Sequence, residues 1–108
     1  MTVADLVELA DMAGVKVMLK IDGERATHRW TVHLSGPHVG FPHRRDVNRL
    51  DQALAFARQK LAGLPGDWSW LDDEIEDLDA FVEHYDERGR RGEIVIVDST
   101  GEQPVRIA

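Results

Sequence analysis

Three observations predict an α+β fold for this chain, a single compact domain with a mainly antiparallel sheet packed on one face by about three helices. The length is 108 residues, the apolar positions switch between helical and strand periods, and glycine- or proline-bearing turns separate the two kinds of stretch. One hydrophobic core is usual at this size, so residues 1–108 read as one domain. A composition 43% hydrophobic and 31% charged lies on the folded side of the divide from disorder. The predicted order is α-β-β-(β)-α-α-β-β.

The first helix is capped by Thr2, with Asp5 at the third helical position in a capping-box arrangement. Val3, Leu6, Val7 and Ala10 recur at helical spacing, and Gly14 ends the run. Val15, Val17, Leu19 and Ile21 then alternate with polar or flexible residues, which describes a strand with one buried face. Asp22-Gly23 signals a tight hairpin, and the return strand is expected over residues 25–34 with Trp30 anchored in the core. Residues 35–45 read as a glycine- and proline-bearing loop, with a short edge strand around Val39 and Phe41. A second helix, capped by Asp46 or Asn48, carries Leu50, Ala53, Leu54, Ala57 and Leu61 on one side. Residues 62–66 stop it.

The third helix lies in the most distinctive stretch. Residues 67–87 hold ten acids and no bases, against ten acids and thirteen bases elsewhere, so the net charge of −7 is concentrated in one segment. Leu71, Ile75, Leu78, Val82 and Tyr85 fall on one face of a helical wheel, with Phe81 beside them, and Ser69 or Asp67 is placed to cap it. Asp72, Glu76, Asp79 and Glu83 lie within about 60° of one another on the acidic side of that wheel, forming one ridge. Strands follow over residues 93–98 and 103–108 around a turn at residues 99–102, with Pro104 marking the last as an edge. Trp30, Ile75, Leu78, Val82, Ile94 and Ile96 are expected to share the core.

Composition narrows the function classes. The chain has no cysteine, which removes disulfide and thiolate chemistry and suits a reducing compartment. No apolar run reaches transmembrane length, and the first residues lack a basic segment followed by an apolar one, so a cytoplasmic protein without membrane partners is expected. A pI near 5.1 disfavours nucleic acid and favours basic partners.

The acids of residues 67–87 lack the alternating ligands and turn glycine of a calcium loop. His28, His33, His38 and His43 recur every five residues, a step that puts neighbours on opposite faces of an extended chain, so no shared metal site is expected; His38 and His43 are the pair to watch. Ser35, Ser69, Ser99 and Thr100 sit at turn or cap positions, and no nucleotide-binding or serine-hydrolase motif is present. No cofactor is implied. Trp70, beside the carboxylates and close to Trp68, has the character of an interface anchor.

The expected function is a small protein-binding module, for example an inhibitor or immunity-type partner, that meets a basic protein surface through Asp72, Glu76, Asp79, Glu83 and Trp70. The competing expectation is a small-ligand or catalytic domain using His38, His43, Arg44 and Arg45 in the loop 36–45. The charge pattern leans toward binding rather than catalysis and leaves self-association open.

Overall fold

Thr2 Oγ1 accepts the Asp5 backbone N–H at 3.0 Å while Asp5 Oδ2 accepts that of Thr2 at 2.9 Å, which closes the predicted capping box and starts helix α1 (Val3–Met12). The Thr2 backbone N–H first, and the Thr2 hydroxyl second, favour the charged form and hold the Asp5 carboxyl below the ordinary aspartate range. The computed structural model describes residues 1–37, 39–98 and 101–106, the last group as backbone only. Beyond α1 come strands β1 (Lys16–Asp22), β2 (Trp30–Ser35) and β3 (His43–Val47). Helix α2 (Leu50–Ala62), a short 3-10 turn (Ser69–Asp72) and helix α3 (Leu78–Arg90) follow, and strands β4 (Glu93–Asp98) and β5 (Gly101–Arg106) complete the order. The predicted α+β architecture is present, with every strand pair antiparallel in a five-stranded sheet of order β3-β2-β1-β4-β5.

The strand periodicity selects the covered face. Val17, Leu19 and Ile21 of β1 are buried with Trp30, Val32 and Leu34 of β2, beneath Val3, Leu6, Val7 and Ala10 of α1 and all five apolar positions expected of α2. On β4 the covered residue is Val95, opposite Ile21, with Val97 packed beside it. Ile94 and Ile96 therefore do not share this core: they pair with Asp22 and Lys20 on the other face of the sheet. Glu93 faces inward and is buried, and Arg88 Nε meets its Oε2 at 2.8 Å, so the carboxylate is neutralised where it is desolvated.

The first hairpin is wider than Asp22-Gly23 suggested. Asp22 N–H donates to Arg29 O at 2.9 Å, β2 begins at Trp30 instead of residue 25, and residues 23–29 form the connection. Asp22 spends its carboxylate on the Glu24 N–H at 3.0 Å, and Gly23 lies against the backbone of Gly89 and Glu93, where a Cβ would overlap the Gly89 carbonyl. The glycine permits a close approach between the connection and α3.

Residues 43–47 form the third strand, which takes His43, Arg44 and Arg45 out of the expected loop; the strand lies after Val39 and Phe41, not around them. Asp46 is thus inside β3, and Asn48 accepts the His28 N–H at 2.8 Å, so neither caps α2. The cap position is Arg49, whose N–H donates to Gln52 Oε1 at 3.1 Å. The expected turn at residues 99–102 and the end of the last strand fall partly outside the described residues.

The acidic segment is not one continuous helix. Within residues 73–77, Glu76 N–H donates to Met1 O at 2.9 Å, Asp73 O accepts from Arg58 Nη2 at 2.8 Å, and Asp77 Oδ1 accepts the Val3 N–H at 2.9 Å. Those groups are committed to α1 and α2, and α3 starts only where Asp77 O accepts the Phe81 N–H at 2.8 Å. At its other end Gly92, with φ +82°, turns the chain from α3 into β4.

Candidate functional site

The beginnings of α2 and α3 enclose an open groove of about 410 Å3. Its apolar lining comes from both halves of the domain. Trp30 on β2 is 5% exposed and Leu50 is buried at the first position of α2, while Leu78 and Val82 on α3 are half-buried against the same core. The Trp30 and Phe81 rings lie 6.5 Å apart, and Phe81 and Tyr85 4.4 Å apart, so an aromatic row fixes α3 beside β2. Burial pushes the Tyr85 hydroxyl above the ordinary tyrosine range, with nearby Arg88 acting in the opposite sense.

Carboxylates share the lining of the groove. Asp79, Glu83 and Asp86 line it from α3 and Asp51 from α2, with Asn48 and Arg49 also in the lining. Arg49 holds Asp51 through two bonds, Nε to Oδ1 at 3.0 Å and Nη2 to Oδ2 at 2.8 Å. Asp86 receives Arg29 Nη1 at 3.2 Å and Arg90 Nη2 at 2.9 Å. Among the described residues Asp79 and Glu83 have no ion-pair partner.

Two of the expected partner-binding residues, Asp79 and Glu83, are thus brought together on α3. Asp72 ends the 3-10 turn and Glu76 precedes α3, so the four acids do not form a single helical ridge. Glu76 Oε1 instead lies 3.5 Å from the Met1 ammonium. Trp70 is half-buried and packs edge-on against Trp68 with ring centres 5.6 Å apart, while Trp68 Nε1 donates to Leu64 O at 2.9 Å. The pair covers the core at the approach to the 3-10 turn. Trp30, Leu50 and Asp51 were not expected at the site; only the meeting of α2 with α3 reveals them.

No protein-family model, curated protein or solved structure matches the chain.

The alternative residues are divided. His33 and Arg44 pair across β2 and β3 on the uncovered face, whereas His43 lies opposite Leu34 on the covered side. His38 lies outside the described residues. Arg45 places its guanidinium 5.1 Å above the Phe56 ring, beside a second groove of about 440 Å3 that also contains His28, Gln52 and Gln59. Asp46 at that groove is held below the ordinary carboxylate range, first by the Thr31 hydroxyl at 2.6 Å and then by Arg25 and Arg44. No group of three or more histidines and carboxylates among the described residues is arranged to hold a metal ion.

Proposed function

We propose that this protein is a small binding module that engages a basic protein surface through the acidic face of α3, as an inhibitor or immunity-type partner does. The observation that carries the reading is the pair Asp79 and Glu83, which line the groove beside Leu78 and Val82 with no cation paired to them among the described residues. Clustered unpaired acids destabilise a helix slightly and raise the encounter rate with a cationic partner. The net charge of −7 opposes use of the same face for self-association. No helix among the described residues is long and apolar enough to cross a membrane, and the lack of cysteine fits a reducing compartment such as the cytoplasm.

Affinity capture identifies a stoichiometric partner, and association kinetics at two ionic strengths then test the surface. Asp79→Asn with Glu83→Lys should slow association, weaken the complex and flatten its salt dependence. Glu8→Lys with Asp11→Asn makes the same change in net charge on exposed positions of α1 and should leave binding near that of the wild type. Equal effects from the two pairs would reduce the role of α3 to general charge and overturn the assignment.

A further inference from the structure

We infer that the groove between α2 and α3 receives a single arginine side chain from the basic partner, an inference that rests on the function proposed above. The lining suits the two parts of that residue. Half-buried Leu78 and Val82, beside the buried Trp30 and Leu50, provide apolar surface for a hydrocarbon stem, and Asp79 and Glu83 supply carboxylates for the stem's charged end. These acids are four residues apart on a helix, so their side chains are neighbours on one face. A guanidinium is planar and offers five N–H donors in a fixed fork, allowing it to bond to both acids at once, whereas a lysine ammonium acts as a compact point charge.

The chain contains its own example of this mode. Asp79, Glu83 and Asp86 follow at intervals of four and three residues, which places them on one stripe of α3. At the far end of that stripe Arg29 bonds to Asp86 at 3.2 Å. Its Nη2 comes within 2.6 Å of where a Cβ on Gly89 would be, and Ile21 borders the same space. The internal arginine occupies only the last carboxylate. The first two carry the same charge and line the groove with half-buried Leu78 and Val82, and Arg49, in the same lining, is held by Asp51.

A titration of the full chain with the blocked peptide acetyl-Gly-Gly-Arg-Gly-Gly-amide, followed by NMR at the Leu50, Leu78 and Val82 methyls and the Trp30 indole N–H, tests the site. Saturable shifts at these groups are expected. The lysine and citrulline versions of the peptide should bind at least about tenfold more weakly, and Asp79→Asn with Glu83→Gln should weaken the arginine peptide by a similar factor. Equal binding of the citrulline peptide, or arginine-peptide shifts that avoid Leu78 and Val82, would overturn the inference. Val82→Phe fills the groove without changing charge and should weaken the identified partner about tenfold or more; if it does not fold, the near-isosteric Asp79→Asn and Glu83→Gln pair still decides the question. Normal partner binding by folded Val82→Phe, together with loss of binding in Asp79→Asn with Glu83→Lys, would reject the arginine site and leave the proposed function standing.

Discussion

Arg29 joins the β1–β2 connection to the middle of α3 through Asp86, with Nη1 and Oδ1 3.2 Å apart and side chains 22% and 27% exposed. The Nε and Nη2 atoms of the same guanidinium are buried without a hydrogen bond among the described residues. Asp86→Asn should therefore destabilise the fold by about 1–3 kcal/mol, because a largely desolvated cation loses its charged acceptor. Replacing both partners, with Arg29→Met and Asp86→Leu, should recover most of that loss. Urea midpoints compare the variants, and a double variant no more stable than Asp86→Asn would show that the pair itself is worth more than its desolvation.

Two glycines meet at the same junction and should respond oppositely to the usual helix rule. Gly89 lies inside α3, where alanine is ordinarily favoured by about 1 kcal/mol, and its added methyl would meet mainly the movable end of Arg29 and the Ile21 side chain. An added methyl on Gly23 would meet the Gly89 carbonyl, which cannot move without shifting the helix. Gly23→Ala should lower the melting temperature more than Gly89→Ala. The reverse order would remove the close approach as a determinant of the fold.

The face assignment of β4 predicts an inversion of residue size. Val95→Ala, at a fully buried position, should cost about 2 kcal/mol and more than Ile96→Ala, although the isoleucine loses the larger side chain. Chemical denaturation of the two variants measures the difference. A larger loss for Ile96→Ala would return that residue to the core.

Asp46 predicts a pH response with a defined sign. Its carboxylate is stabilised first by the Thr31 hydroxyl and next by Arg25 and Arg44, which lower its pKa in the folded chain. The resulting stability is present above the unfolded carboxylate pKa of about 4 and is lost as pH falls through the lower native value. Thr31→Val should raise the Asp46 titration midpoint toward the ordinary range and reduce this contribution. Carbon-detected NMR titration of the side chain provides the check, and an unchanged midpoint would assign the shift to the arginines.

The parts of the fold legible in the sequence were those in which local pattern and tertiary burial agree. Thr2 with Asp5, the alternation from Val15 to Ile21, and the Leu50 to Leu61 stripe all occupy their expected roles. β3 was hidden because His43-Arg-Arg-Asp has no apolar alternation; pairing with β2 makes it a strand. Ile94-Val-Ile-Val97 is apolar at every step, so a period of two could not choose its inner face. Leu71, Ile75 and Leu78 keep helical spacing, but bonds to Met1, Val3 and Arg58 interrupt the backbone between them. The acidity of α3 was visible from residue order alone, whereas the opposing wall at Trp30, Leu50 and Asp51 is set by long-range packing that one segment cannot encode.

The central strand also sets an order of assembly. β1 pairs with β2 across a short connection, but its pairing of Asp22 with Ile94 must await closure of nearly the whole intervening chain. The acidic wall is joined to β4 through a turn at Gly92, while Trp30 belongs to the earlier hairpin, so the groove spans the seam between early and late parts of the sheet. A partner bridging that seam, as proposed above, would bind only the completed domain and stabilise it by mass action. Its kinetic mark should therefore be slower unfolding of the complex with little change in the folding rate of the free chain, so occupation of the groove would convert a late packing step into a lock on the native state.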